Sequence, residues 1–291
     1  MSLTAEQLAR RRTGITSTDI TRIVGESPFG GPADVYLEKI SESPPRTSTI
    51  PQRIGDFLEP LVCELVAERF RLPELVQGTT VEHPYFTWAL TTPDRTFAGG
   101  LVEAKAKTLL FTGREQWLDE ESPPGHVVVQ CQWHLAVTQH PVCHVGALVG
   151  AVPMFWTIDR DSAFGSMLLE TAQEFHERHV LARVPPKPDG SEGWRRMAAA
   201  VWPRATKGSA VAATRQAEVA AQMYFLASER MKRAEAAKEF AAQELIAFAA
   251  DNERVNGDGW RLVLSERAAV EIPATTRKSY RHFDLRPSKG G

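Results

Sequence analysis

Apolar and polar residues alternate along residues 101–106, with the two-residue period of a β-strand. Glu103 and Lys105 fall on one face of this predicted strand, and Val102 and Ala104 fall on the other. The pattern therefore predicts a strand that presents a carboxylate and an ammonium group side by side.

A second apolar run, residues 86–90, predicts another strand, which ends at Thr91-Thr92-Pro93. Residues 97–100, Phe-Ala-Gly-Gly, have the composition of a turn. Two neighbouring strands with this turn between them would bring Asp94, which directly follows the first strand's end, beside Glu103.

Most of the remaining N-terminal part has a helical pattern. Three long segments repeat apolar residues at helical spacing. They are residues 52–70, 126–139 and 161–181. Shorter helices are expected over 5–12, after the cap formed by Thr16 to Asp19, and over 33–40. Further strands are expected over 75–81, 142–150 and 152–158.

The composition changes after the proline-rich segment 183–190, which has the character of a linker. The alanine-rich and charged segment 210–251 predicts one long helix or a helical hairpin. Residues 260–264 and 268–272 predict a terminal β-hairpin. We therefore expect a core over residues 1–185 and a C-terminal extension over residues 186–291.

The composition is that of an ordinary soluble globular protein, with 43% hydrophobic and 24% charged residues among 291. The net charge of −2 argues mildly against a nucleic-acid partner, which usually leaves a basic footprint. A nuclease site adds carboxylates, however, and a local basic groove is compatible with a neutral total. Three widely spaced cysteines and the lack of a secretory signal predict a reducing cytoplasm, in a bacterial host or a phage-infected cell. No apolar run reaches the ~18 residues of a membrane span.

Two carboxylates beside one ammonium group indicate a site for a hard divalent cation. Mg²⁺ prefers oxygen ligands and needs only one or two protein carboxylates. Asp94, Glu103 and the carbonyl of Ala104 are the candidate ligands, and Lys105 would act on the attacking water or on phosphate charge. The pattern predicts a phosphodiesterase centre. The alternative is a solvated strand face, because about one Glu-x-Lys is expected by chance in such a chain.

Other chemistries have less support in the sequence. Cys131 and His134, followed by His140 and Cys143, have a spacing that superficially resembles a zinc site. The first pair falls on a predicted apolar helix, and Cys143 opens a buried strand, so a zinc site is not favoured. The nucleophile elbow of acyl transferases and the phosphate-binding loop of ATPases have no match.

Four separated motifs occur in a fixed order along the chain. They are residues 12–19 with 25–29, residues 55–60, residues 92–94 with 103–105, and residues 129–133. Together they resemble the YqaJ-type viral recombinase family, which includes the lambda exonuclease, over about the first 185 residues. The resemblance implies an α/β fold with a PD-(D/E)xK nuclease core, a mixed central sheet flanked by helices. The extension would add helices and the small hairpin.

The resemblance also implies roles for individual residues of the core. Asp94 and Glu103 match the metal ligands of the family, and Lys105 matches the catalytic lysine. Glu59 resembles the helix carboxylate that assists the metals, and Gln130 resembles the helix glutamine at the active site.

A second set of residues resembles the family's pocket for a 5′ phosphate. Arg12 and Thr18 match the residues that hold this phosphate, although the family has serine where Thr18 stands. The chain also departs from the family at Arg95, where glycine often follows the Pro-Asp pair. That departure predicts a different turn.

The implied function is a Mg²⁺-dependent DNA exonuclease of phage or prophage recombination, with Mn²⁺ able to substitute. It would degrade one strand of linear duplex DNA from 5′ to 3′ by a two-metal scheme and leave 3′ single-stranded tails. The resemblance further implies a ring-shaped homotrimer and a single-strand annealing protein as partner.

Two alternatives stay open: an endonuclease of the same fold, and a DNA-end binding module without catalysis. The intact Asp94, Glu103 and Lys105 argue against the second. Iron–sulfur nuclease relatives need four cysteines, and the chain has three.

Overall fold

A computed structural model describes residues 10–41, 49–107 and 114–264. The chain divides after Val201 into two compact units. The first unit therefore extends beyond residue 185, because a helix over residues 192–201 packs in its core through Met197. The functional boundary at residues 185 and 186 stays a prediction.

The described part of the first unit contains both helices and strands. In chain order they are α1 (Ser17–Ile23), α2 (Pro32–Ile40), α3 (Ile50–Phe70), β1 (Val76–Gln77), β2 (Val81–Glu82), β3 (Leu90–Thr91), β4 (Arg95–Phe97), β5 (Gly100–Lys107), α4 (Arg114–Trp117), α5 (Gly125–Thr138), β6 (Val142–Val149), β7 (Val152–Asp159), α6 (Ser162–Phe175), a π-helical segment (His176–Leu181) and α7 (Glu192–Val201).

The central sheet has five strands in the order β1-β4-β5-β6-β7. The β5–β6 pair is parallel and the other pairs are antiparallel, so the sheet is mixed. The parallel pair requires a crossover connection, which contains α5. The predicted mixed sheet flanked by helices is confirmed.

Opposite faces of β5 pack against different helices, as the alternation predicts. Leu101 contributes to the core cluster that contains Cys131 and Leu135 of α5. Val102 packs with Val66 of α3 on the other face. The close approach of α3 requires glycine at position 146 of β6, since a Cβ atom there would lie 2.4 Å from Val66 Cγ2.

The predicted helix cap at residues 16–19 is confirmed. Asp19 accepts hydrogen bonds from the Thr16 amide at 2.9 Å and from the Thr16 hydroxyl at 2.7 Å. The Asp19 carboxylate also lies 2.6 Å from Lys39 Nζ of α2, and both side chains are about 6% exposed. Lys39 in turn donates to the carbonyl of Arg11 at 2.6 Å. This buried ion pair therefore joins α1, α2 and the segment before α1.

The strand predicted at residues 86–90 is wrong in extent, because β3 begins only at Leu90. The residues before it form a turn around His83, whose Nδ1 lies 3.2 Å from the Tyr85 amide and 3.3 Å from the Phe86 amide. The strand beside β5 is instead the short β4, paired through Arg95 and Val102.

The second unit contains α8 (Arg215–Ala249) and a hairpin of β8 (Arg254–Gly257) and β9 (Trp260–Val263). The alanine-rich segment is thus one helix and not a helical hairpin. β9 pairs with β8 across the tight turn at Asp258-Gly259, a pairing that the sequence did not predict. Residues 268–272 lie outside the described residues. None of the described helices has the length and apolar character needed to cross a membrane.

We expect Lys39→Met to lower the free energy of unfolding by about 3–5 kcal/mol, because the Asp19 charge would stay buried without its partner. Denaturant unfolding followed by tryptophan fluorescence measures the change. The matched control is Arg178→Met, which removes an exposed pair with Glu174 at 3.9 Å and should cost less than about 1 kcal/mol. Equal effects of the two substitutions would contradict the role of the buried pair.

Candidate active site

Glu103 and Lys105 lie on the face of β5 that α5 covers. Lys105 Nζ forms an ion pair with Glu103 Oε1 and donates to Gln130 Oε1 at 3.0 Å. Gln130 Nε2 donates back to Glu103 Oε1 at 2.7 Å. Three of the residues singled out from the sequence thus form one closed network.

His134 is a fourth member that the sequence analysis considered only for zinc. It lies one helical turn after Gln130 and is completely buried. Its Nε2 is 3.1 Å from Glu103 Oε2, and its Nδ1 shares a hydrogen bond with the Thr91 hydroxyl. The signal available in the sequence was the four-residue spacing from Gln130, which puts both side chains on one helix face.

Asp94 lies beside Glu103, as the strand pattern predicts. It directly precedes β4 and does not follow a strand over residues 86–90. Its Oδ2 accepts a hydrogen bond from the amide of Ala104 at 2.7 Å. Burial raises the pKa of Asp94, and the nearby Glu103 charge raises it further, to about 8. Two carboxylates this close in a dry site cannot both ionise without a compensating cation.

Glu103 carries the negative charge of the pair. Burial opposes its ionisation, but Lys105 and then His134 outweigh that effect and lower the pKa of Glu103 to about 2. The same attraction to Glu103 and Asp94 overcomes burial and raises the pKa of Lys105, which stays an ammonium group.

The residues present fit a divalent cation with oxygen ligands. Glu103 Oε2 is buried and lies 3.1 Å from His134 Nε2. Two adjacent buried carboxylates, of which Asp94 has a raised pKa, form a donor set that a divalent cation would satisfy. No cluster of three or more His, Cys, Asp or Glu side chains suited to a metal occurs in the described part of the chain. Two carboxylates with water suffice for Mg²⁺.

Glu59 lies near this pair, but its carboxylate is already engaged. Arg95 Nη1 lies 2.8 Å from Glu59 Oε1 and also donates to the carbonyl of Asp94 at 2.7 Å. The Glu59 charge contributes to the raised pKa of Asp94. The structure therefore brings Glu59 to the edge of the site as the partner of Arg95, the residue at which the chain departs from the family.

A cleft of about 1900 Å³ in the first unit is lined in part by Lys105, Ala104 and Glu59. Arg12 and Thr18 line the same cleft. The predicted catalytic lysine and the predicted phosphate residues therefore face one cavity.

Arg11 is the arginine that contacts the hydroxyl groups of the capping segment. Its guanidinium lies 3.3 Å from Thr18 Oγ1 and 3.5 Å from Thr16 Oγ1. Burial lowers the pKa of Arg11. Both Arg11 and Arg12 are half-buried, and consecutive arginines offer no sequence pattern that indicates which of them contacts Thr16 and Thr18.

The zinc arrangement that the cysteine spacing resembled does not form. Cys131 and Cys143 are free and buried, and His134 faces Glu103. The histidine therefore belongs to the carboxylate network.

The sheet and its flanking helices are those of the PD-(D/E)xK nuclease fold. The alkaline exonuclease LHK-Exo from Laribacter hongkongensis matches over 68% of this chain and 100% of its own, with 16% identity and a TM-score of 0.52. The same exonuclease in complex with dAMP matches over the same shares, with 17% identity and a TM-score of 0.53. At these identities the likeness defines the fold.

Residues 6–141 match the family model described as the YqaJ-like viral recombinase domain. The uncharacterized protein YqaJ of Bacillus subtilis (strain 168) is 28% identical over 196 residues, which cover 64% of this chain and 59% of that relative. The match thus spans about three fifths of the relative's length. The resemblance to the YqaJ-type viral recombinases is confirmed.

We expect Asp94→Asn to change how stability depends on pH in EDTA. Between the ordinary aspartate pKa of about 3.9 and the folded value of about 8, the folded wild type holds a proton that the unfolded chain releases. Wild-type stability should therefore fall as the pH rises through this window, by up to about 1.4 kcal/mol per pH unit. The amide of the Asp94→Asn variant has no such proton to lose, so the free energy of unfolding of the variant should rise relative to that of the wild type as the pH increases.

Denaturant unfolding at pH 5, 6, 7 and 8 measures this difference. Saturating Mg²⁺ should reduce it, because the ion favours the ionised carboxylate of the wild type alone. Glu170→Gln, at an exposed position of α6, is the control and should give a curve parallel to wild type. A parallel curve for Asp94→Asn would show that burial does not hold the Asp94 proton.

Proposed function

We propose that the protein is a Mg²⁺-dependent DNA exonuclease of phage or prophage recombination. The observation that carries the proposal is the closed network of Glu103, Lys105 and Gln130, with Asp94 beside it, at the wall of a cleft that arginines also line. A buried carboxylate pair with an adjacent ammonium group suits phosphodiester hydrolysis and has no evident structural need.

The side chains of the network have distinct tasks in this proposal. Asp94 and Glu103 supply oxygen ligands, and bound Mg²⁺ would supply an activated water and stabilise the leaving oxygen. Lys105 stays charged and donates to the phosphate as negative charge develops. Gln130 and His134 fix the Glu103 carboxylate, and Glu59, held by Arg95, contributes negative charge at the edge.

The proposed strand polarity depends on the part of the cleft that Arg12 and Thr18 line. Arg12 offers a planar fork for two phosphate oxygens, and Thr18 offers a hydroxyl group. A pocket of this kind would select a 5′-phosphorylated end, so that digestion runs from 5′ to 3′ and leaves 3′ tails. Arg11 supports the pocket by its contacts with the Thr16 and Thr18 hydroxyls.

Partners complete the proposal. A closed homotrimer would keep the enzyme on its DNA, and a single-strand annealing protein would take up the 3′ tails. A second candidate, an endonuclease of the same fold, is favoured by no observation of its own and differs in cutting covalently closed DNA.

The decisive experiment incubates the purified protein with linear and circular duplexes of one sequence, in Mg²⁺, in Mn²⁺ and in EDTA. We expect only the linear DNA to be degraded, and only when a metal ion is present. At each digested end, the strand with its 5′ terminus there should be lost and the strand with its 3′ terminus there should survive. Cleavage of the closed circle would favour the endonuclease. Intact DNA in every lane would favour a binding module.

We expect Lys105→Ala to reduce cleavage by at least about 100-fold while duplex binding stays within a few-fold of wild type. The lysine acts on the transition state, whereas binding is distributed over many phosphate contacts. Single-turnover rates and filter binding in EDTA measure the two effects. Lys187→Ala, at an exposed position outside the cleft lining, is the control. Substantial cleavage by Lys105→Ala would refute the assigned role.

We expect wild type to digest 5′-phosphorylated ends about 10- to 100-fold faster than 5′-hydroxyl ends, the range of one charge-assisted pair. Arg12→Ala should lose most of that preference while keeping its thermal stability. Arg11→Ala should instead lower the thermal midpoint, because the Arg11 guanidinium contacts the hydroxyls of Thr16, Thr18 and Thr92. Initial rates on duplexes that differ only in the 5′ group decide the matter, and an unchanged preference in Arg12→Ala would leave that residue as surface charge.

A further inference from the structure

Phe29 is 71% exposed, and unlike Phe57 and Tyr85, the other strongly exposed aromatic residues in the described part of the first unit, it lines the cleft. It lies in the loop between α1 and α2, and it lines the cleft that contains Lys105. An exposed phenyl ring at the wall of a cleft contributes little to the core, so its position suits contact with a ligand in the cleft.

Lys107 lies beside this ring at the end of β5. Its Nζ is 5.2 Å from the centre of the Phe29 ring and 4.9 Å from the centre of the Trp117 ring. Both distances are within the range of a cation–π contact. Trp117 is buried, so it forms a fixed wall, while Phe29 forms the open side.

The charge of Lys107 is not balanced by a carboxylate among the described residues. The pKa of the neighbouring His126 is lowered in part by this positive charge. Burial, then Lys107 and Lys105, lower the pKa of His126 to about 4. This wall of the cleft is therefore positive and suited to an anion.

Lys107 also lies at a fixed distance from Lys105, because both residues are on β5. It follows Lys105 by two residues on one strand, so both side chains point to the same face, roughly 6.6 Å apart along the strand. That separation resembles the distance between adjacent phosphates of a nucleic-acid strand. A strand with one phosphate at Lys105 would bring the next phosphate to Lys107.

We propose that Phe29, Lys107 and Trp117 form a subsite for one unpaired nucleotide of the DNA strand next to the reacting phosphate. The base stacks on the open face of Phe29, and the phosphate binds the Lys107 ammonium group, which Trp117 holds in place. Such a combination of an aromatic platform and a cation binds single-stranded nucleic acid without preference for sequence. The subsite rests on the proposed function, since it takes the substrate of that site.

The test is a double-mutant cycle between the protein and the DNA. Binding of full-length protein to 5′-phosphorylated duplexes is measured in EDTA, with a single abasic site moved through the first five nucleotides of either strand. Wild type should bind the intact duplex about 5- to 100-fold more tightly than the duplex abasic at one or two adjacent positions, the range of base stacking. The cycle isolates the pairwise contact from general loss of affinity.

Variants assign the discrimination to its residues. Phe29→Ala should bind intact and abasic duplexes equally, and Phe29→Trp should restore the difference. Lys107→Met should lose the preference for a normal linkage over a neutral methylphosphonate at the same nucleotide. Tyr85→Ala removes an aromatic ring that is 87% exposed but lies outside the cleft lining, and it should behave as wild type.

The outcomes separate this subsite from the exonuclease proposal. A wild type without abasic discrimination, or a Phe29→Ala variant that keeps it, would overturn the subsite even if linear DNA is digested. Discrimination that depends on Phe29, in a protein that digests no DNA, would support the subsite and overturn the exonuclease. Phe29→Ala should keep the wild-type thermal midpoint, and a lower midpoint would indicate a structural role for the ring.

Discussion

The burial of two carboxylates side by side is the constraint around which the first unit is built. Like charges in a site of low dielectric repel each other strongly, so Asp94 and Glu103 require donors and cations from several directions. The β4–β5 hairpin supplies the Ala104 amide, and β5 itself supplies Lys105. Gln130 comes from α5, which lies in the crossover between the parallel strands β5 and β6. The mixed topology is therefore the means by which one helix reaches the carboxylates.

A comparison of two buried charged pairs separates structural from functional burial. Asp19 has an ammonium partner and two hydrogen bonds from Thr16, and its pKa is lowered because Lys39 and Thr16 together outweigh the effect of burial. Glu103 also has buried partners, Lys105 and His134, but it lies beside Asp94, a second carboxylate whose pKa is raised to about 8. Two carboxylates in one buried site need a further cation to ionise together, so this arrangement indicates a ligand site.

The parts of the fold that the sequence predicts are those with a local cause. The two-residue alternation of β5 placed Glu103 and Lys105 together, and the cap at Thr16 is a local hydrogen-bond pattern. The apolar run at 86–90 led to a strand assignment that is too long, because the amides of Tyr85 and Phe86 donate to His83 in a turn. The Glu59–Arg95 pair joins residues 36 positions apart, and no local pattern indicates it. Arg11 contacts the Thr16 and Thr18 hydroxyls, and a run of consecutive arginines gives no local pattern that predicts this contact.

Arg95 changes the charge balance of the site compared with a family that often has glycine there. Asp94, Glu103 and Glu59 are three carboxylates, and Lys105 and Arg95 are two permanent cations. With Asp94 protonated the set is neutral, and with Asp94 ionised it carries one negative charge, which a divalent ion would reverse. Binding of the ion and release of the Asp94 proton are therefore linked, so metal affinity should depend on pH through this one group. The guanidinium of Arg95 compensates the Glu59 charge whether Asp94 is protonated or ionised. Metal binding therefore changes the ionisation of Asp94 and not that of Glu59.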